Sequence, residues 1–353
     1  MNKQLMMQKL KATAFNMMSN KGSENVQEVC PISIINFDKW EWAQGVGLYG
    51  LFNYYKQTKD KDMLDILVNW FDARLKEGLP YKNVNTMAPM LTLACLYEET
   101  KNPEYVDVLT EWANWVMDEM PRTIEGGLQH ICSGCENHNQ IWDDTLFMTV
   151  LFLAKYGMLF DRQDMVEESK YQFLIHIKYL YDTKTGLWYH GWNFNNRDNF
   201  GSILWGRGNC WITVGICDYL EMTGIDGGLK KYLANTLKAQ VDALVKYQCE
   251  SGAWNTIIND PTSYEEISAT AGFGCGILMG IRIGLLDKET YLPCAIKALN
   301  VVMDNINEDG TVEQVSYGTG MGNTAQEYKD IPICYMAYGN ALAIMILNEG
   351  LKL

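Results

Sequence analysis

Two kinds of hydrophobic segment alternate along the chain. The first kind is amphipathic. In residues 60–78 the apolar Met63, Ile66, Leu67, Trp70, Phe71 and Leu75 recur close to i, i+3, i+4, i+7 spacing, with Asp, Arg and Lys between them, the pattern of a helix with one buried stripe. Residues 102–120 repeat it, with Asn102 as cap and Pro103 at the first helical position. Segments near 162–181, 228–249 and 288–307 continue the series. The second kind is nearly uncharged on every side and rich in small residues: EWAQGVGLYGLFNYY, NVNTMAPMLTLACLY, IWDDTLFMTVLFLAKYG, GNCWITVGICDYL, ISATAGFGCGILMGIRIG and IPICYMAYGNALAIMIL. A helix that is apolar all round is buried all round. Six inner segments, each interleaved with an amphipathic one, together with a segment around 3–19, predict an all-α protein of about twelve helices. The spacing is too uneven for an open solenoid, whose repeats keep a stricter period. A closed (α/α)6 barrel is the expectation. No strand-period segment and no Pro/Ser-rich linker interrupts the series, so residues 1–353 read as one domain.

Composition narrows the chemistry. The 353 residues carry 29 basic and 43 acidic side chains, a net charge of −14, and no basic patch is concentrated anywhere. Such a surface opposes a phosphate backbone, so nucleic acid is excluded as a partner. Disorder is excluded by 48% hydrophobic residues, and 20 Tyr and 11 Trp supply surfaces for stacking on sugar rings. No apolar run is long enough to span a membrane. The N-terminus scatters Lys3, Lys9, Lys11 and Lys21 through its apolar residues and does not read as a secretory signal. Ten Cys, mostly in apolar helical stretches such as those of Cys95, Cys217 and Cys275, read as buried thiols, which points to a reducing cytoplasm. A G-x-S-x-G elbow, a phosphate loop and a dinucleotide fingerprint are all absent, which sets aside serine-triad and nucleotide-driven chemistry. No cofactor is expected, and nothing in the sequence fixes an oligomeric state.

The connections leading into the inner segments are long and chemically unusual: IEGGLQHICSGCENHNQ, WYHGWNFNNRDNFGSILWGR and NEDGTVEQVSYGTGMGNTAQEYKD. In a barrel they gather at one end, beside inner-helix N-termini whose unpaired N–H groups favour a carboxylate ligand. Asp143 and Asp144 begin one inner segment. Adjacent helical residues point about 100° apart, so at most one faces the axis. Either is equally explained as a helix cap. Arg207, flanked by Gly206 and Gly208 and by Trp205 and Trp211, suits a planar fork on an anion, or a surface ion pair. His130 and His190 lie on the long connections, while His176 reads as packing and His138 as loop. Cys132 and Cys135 form a C-x-x-C followed by His138, three ligands where a structural zinc takes four, so no metal is assigned. The pair also lacks the βαβ setting of a thioredoxin-type redox motif.

In order along the chain, WEWAQGVGLYG, NVNTMAPMLTL, GGLQH, IWDDTLFM, LWYHGW, LWGRGNCW, YEEISATAGF and IPICYMAYG resemble the unsaturated rhamnogalacturonyl hydrolases, glycoside hydrolase family 105. The resemblance implies a six-hairpin barrel. It also implies a hydrolase that removes the terminal Δ4,5-unsaturated uronate from oligosaccharides left by polysaccharide lyases, here unsaturated rhamnogalacturonan fragments from pectin. The bond attacked is the C4=C5 double bond, not the anomeric one. In that family the Asp of a W-x-D-T pattern protonates C4 and then helps water add at C5; the pattern maps to Asp144 and leaves Asp143 to cap or support. Trp42, His130, His190, Trp205, Arg207, Trp211 and Lys329 match substrate-contacting positions. Asn85 stands in the region where the sister family of unsaturated glucuronyl hydrolases carries a second important Asp. Asn positions a water or hydroxyl but does not titrate, which favours the rhamnogalacturonan branch. Two alternatives stay open: an unsaturated glucuronyl hydrolase acting on other lyase products, and a non-catalytic sugar-binding barrel in which Asp144 only caps its helix. The insert CSGCENHNQ leaves the leaving-group sugar unassigned.

Overall fold

The computed structural model describes residues 2–19 and 36–353; Lys21 of the N-terminal reading lies outside them. Six inner helices form a ring: α2 (Trp42–Thr58), α4 (Val84–Thr100), α6 (Leu151–Leu159, entered through a π turn at Leu146–Val150), α8 (Gly206–Thr223), α10 (Ile267–Arg282) and α13 (Ala337–Leu351). Each packs on the next, and α13 packs back on α2, so the ring closes. The outer layer is α3 (Lys61–Glu77), α5 (Val106–Asp118), α7 (Gln163–Leu180), α9 (Gly227–Tyr247) and α11 (Lys288–Asp304), with α1 (Lys3–Ser19) completing it against α13. A short α12 (Ala325–Lys329) lies in the last connection. This is the (α/α)6 barrel that the alternating patterns predicted.

The local reasons are readable in the sequence. Outer α3 buries Met63, Leu67, Trp70 and Phe71 and leaves its charged residues outside. Inner α10 is buried continuously from Ile267 to Gly280, and α13 from Ala337 to Gly350. Small residues set the spacing of the ring. A Cβ on Gly50 of α2 would sit 2.5 Å from the Ala341 Cα of α13, and one on Gly45 would sit 2.5 Å from the Pro89 nitrogen of α4. Side chains fix the helix starts: Asn83 and Thr86 form a capping box on α4, Glu41 accepts from the Trp42 N–H of α2, and Glu266 accepts from the Ala269 N–H of α10.

One feature departs from the expectation of no strands. Two three-residue strands, β1 (Gln140–Trp142) and β2 (Gly191–Asn193), pair antiparallel with Ile141 opposite Trp192. They tie together the two long connections that carry His130 and His190. The thiols of Cys95, Cys210, Cys217, Cys275 and Cys294 are buried, as their apolar surroundings predicted. Among the described residues no helix is long and apolar enough to cross a membrane.

Candidate active site

A cavity of about 350 Å³ opens at the end of the barrel where the inner helices begin. Trp42 and Asn85 enter it from the first turns of α2 and α4, and Trp205 and Trp211 from the start of α8. Asp144 and Met148 come from the turn preceding α6, residues 318–321 form a further wall, and His130, Cys132, Cys135, Asn137 and Trp142 another. Among these lining residues Asp144 is the one carboxylate.

Asp144 keeps 20% of its side chain exposed and has His130 Nδ1 3.4 Å from its Oδ1. Burial pushes its carboxyl well above the usual carboxylate range; the Arg207 charge and the N–H groups at the turn pull the other way without cancelling it. His130 lies face to face with Trp142, centroids 4.0 Å apart, and its Nδ1 is 2.8 Å from Thr145 Oγ1. Burial lowers the His130 pKa to about 3, with the His176 charge a smaller cause in the same direction, so the imidazole beside Asp144 is neutral.

Asp143 does not cap the helix. Its N–H donates to His190 O at 2.9 Å, extending the β1–β2 pairing, while its carboxylate is fully buried and neither oxygen has a hydrogen-bond partner. It lies against Gly208 of α8, where any Cβ would overlap it. Burial first, and then the neighbouring Asp144 charge, push its carboxyl well up.

Arg207 is brought to the site but not into the cavity. Its guanidinium is sandwiched between Trp205 and Tyr338, 4.7 and 4.8 Å from their centroids. Nη1 donates to Ser316 O at 3.1 Å and to Ser316 Oγ; Nη2 donates to Tyr317 O at 2.9 Å and Thr319 Oγ1 at 2.7 Å. Glu266 reinforces the same loop by accepting from Ser316 N–H at 2.8 Å, and its Oε1 lies 3.8 Å from Arg207. The fork expected to hold substrate therefore holds residues 316–319, which lead into the cavity wall. Lys329, on α12, is likewise engaged within the protein: Nζ is 2.6 Å from both Asp260 Oδ2 and Thr262 Oγ1. His190 is buried behind the wall, with Nδ1 2.6 Å from the Tyr328 hydroxyl and its ring 4.3 Å from Trp205. His138 pairs with Glu136 at 2.6 Å on the surface.

The sequence reading missed Trp142, Asn137, Met148, Thr319 and Met321, all of which line the cavity. Trp142 had a signal, since it stands inside IWDDT; the loop residues had only the length of their connection.

The profile of Glycosyl Hydrolase Family 88 matches residues 14–353. The unsaturated rhamnogalacturonyl hydrolase YesR of Bacillus subtilis is 33% identical over 316 residues, 89% of this chain and 90% of that protein. A crystal structure described as a possible GH105 member, from Salmonella enterica serovar Paratyphi A, superposes with a TM-score of 0.96 at 44% identity, covering 100% of this chain and 95% of that one. The unsaturated glucuronyl hydrolase of Bacillus sp. GL1 shares the fold at 17% identity, with a TM-score of 0.76 over 98% and 96% of the two chains. With the closed helical ring and a carboxylate at its mouth already in place, these matches settle the lineage: the chain belongs to glycosyl hydrolase family 88, alongside the unsaturated rhamnogalacturonyl hydrolases.

Proposed function

We propose that the protein removes the terminal Δ4,5-unsaturated uronate from rhamnogalacturonan fragments made by lyases, using Asp144 as both acid and base. The observation that carries this reading is the single carboxylate in the cavity, held in a buried setting that keeps it protonated further up the pH scale than an ordinary Asp. Ordinary glycosidases need two carboxyl groups across the scissile bond. Hydration of an enol ether needs one. Protonated Asp144 delivers its proton to C4, and the positive charge that develops at C5 is shared with the ring oxygen. The resulting carboxylate takes a proton from the water that adds at C5. The product is a hemiketal, which opens and releases the leaving sugar.

Trp42, Trp205 and Trp211 supply apolar walls for the sugar faces. Asn85 offers an amide to a hydroxyl or to the attacking water. His130, neutral, packs beside Asp144 and bonds Thr145 on the same turn. Arg207 and His190 act from behind: Arg207 through the loop at 316–319, His190 through Trp205 and Tyr328. Lys329 acts through its pairing with Asp260 at the margin. Residues 1–353 act as one domain. The buried thiols fit a reducing compartment, and fractionation of the source cells tests the cytoplasmic assignment.

The deciding experiment is turnover of an unsaturated rhamnogalacturonyl disaccharide, followed by loss of the conjugated uronate's absorbance. In heavy water the product should carry one deuterium at C4. Turnover without a label at C4 overturns the mechanism. Binding without turnover makes the barrel a sugar-binding protein, and turnover confined to glucuronyl disaccharides makes it an unsaturated glucuronyl hydrolase.

A further inference from the structure

The C-x-x-C that the fold and the metal question left unused lies on the wall of this cavity. Cys132, Cys135 and Asn137 all line it together with Asp144. Residues 132–135 form a tight hairpin: Cys132 N–H donates to Cys135 O at 2.9 Å, and Cys135 N–H to Cys132 O at 3.2 Å. Gly134, at φ +109, takes the turn position that a side chain would strain. A doubly hydrogen-bonded antiparallel pair sets its Cα atoms about 5.5 Å apart with both side chains on one face, inside the range that disulfides occupy.

The two sulfurs share a partner. Cys135 Sγ donates to Asn137 Oδ1 at 3.0 Å, and Asn137 Nδ2 reaches Cys132 Sγ at 3.6 Å. The same amide donates to His130 O at 2.8 Å, and the His130 ring flanks Asp144. At the tip of the hairpin, Ser133 Oγ donates to the Glu41 carboxylate that caps α2 just before Trp42. It also accepts at 3.3 Å from Asn83 Nδ2, the side chain that caps α4 just before Asn85. The hairpin is thus bonded to three walls of the cavity.

We propose that Cys132 and Cys135 are a redox couple on the substrate cavity, closing to an intramolecular disulfide that lowers turnover and reopening on reduction. The effect on turnover rests on the function proposed above; the couple itself does not. A low-molecular-weight disulfide is the oxidant. Exposed Cys135 attacks one of its sulfurs as the thiolate and displaces one thiolate. Cys132, once deprotonated, attacks the Cys135 sulfur and displaces the second. The cysteine pair gives up two electrons and two protons, and the oxidant leaves as two thiols. Burial holds the Cys132 thiol up at about 11, so the first attack falls to Cys135. Closure removes the S–H that Cys135 donates to Asn137, and with it one of the bonds orienting the amide behind His130. The buried Cys95, Cys210, Cys217, Cys275 and Cys294 are shielded from the same reagent.

The test treats the full chain with oxidised glutathione and maps its peptides by mass. A Cys132–Cys135 bridge, two hydrogens lighter and without attached glutathione, is expected. The kcat/KM on the unsaturated disaccharide should fall by about tenfold, as expected from losing an orienting hydrogen bond, and dithiothreitol should restore it. Cys135→Ser, compared with its own untreated activity, should show no response. Persistent thiols, glutathione held on one cysteine, or a bridge that leaves turnover unchanged each overturn the proposal. If the disaccharide is not turned over at all, the proposed function fails, and the peptide map still decides whether the couple exists.

Discussion

Asp143 and Asp144 are neighbours in sequence with opposite surroundings. Asp144 faces the cavity, so Asp144→Asn keeps the shape of the group and removes the proton; activity should fall about 10²–10⁴-fold in a steady-state assay. Because the carboxyl is raised, the acid form persists above the usual range, and the rate limited by protonation should decline as pH rises through that raised value. The optimum should therefore lie at mildly acidic to neutral pH. Asp143 is buried without a partner, and its folded pKa is also raised. A raised acid leaves stability intact below its unfolded pKa and erodes it as pH climbs toward the folded value. Asp143→Asn should accordingly gain Tm over the wild type in thermal melts above the ordinary Asp pKa of about 4, while reducing activity less than Asp144→Asn. The sequence limited the inward carboxylates to one, but the chemistry on offer to Asp143 depended on Gly208, which arrives from another helix. Arg207 shows the same boundary. Its glycine and tryptophan neighbours marked it as a planar fork, yet the carbonyls that occupy the fork lie 109 and 110 residues away. Arg207→Lys should lower stability by about 2–4 kcal/mol in urea melts and raise KM through the loosened loop, since an ammonium cannot bridge Ser316, Tyr317 and Thr319 together.

At the scale of elements, the two hydrophobic patterns were sufficient for the helices. All-round apolar runs became the inner ring, and striped runs became the outer one. What escaped was short or non-local. β1 and β2 are three residues each, too brief for alternation to register, and they pair across about 50 residues of chain. The π turn at Leu146–Val150 is buried throughout and apolar but for Thr149, so its composition fits an α-helix equally well. Lys329 was placed at the site by the resemblance, but its short helix brings it to Asp260 instead. The glycine contacts were legible as small-residue content, though not as pairs. Gly50→Val should force α2 away from Ala341 and destabilise the fold by about 1–3 kcal/mol or more, measurable as a lower urea midpoint.

For the whole molecule, the barrel is closed where α13 packs between α10 and α2, with the Arg282–Glu349 pair linking α10 to α13 at 2.8 Å. Deleting residues 337–351 would expose the apolar flanks of α2 and α10 and leave α1 without its partner. The expected outcome is protein found in the pellet after centrifugation, with none of the soluble variant retaining the melting transition of the full chain. The same seam orders events in time. A ribosome delivers α2 well before α13, so five inner helices must wait with two greasy edges open until α13 emerges. Contacts between such distant parts of a chain form slowly, and unfinished rings of neighbouring nascent chains present matching edges to one another. Production of this enzyme is therefore most vulnerable just before α13 emerges, when nearly all of the barrel exists and none of it is sealed.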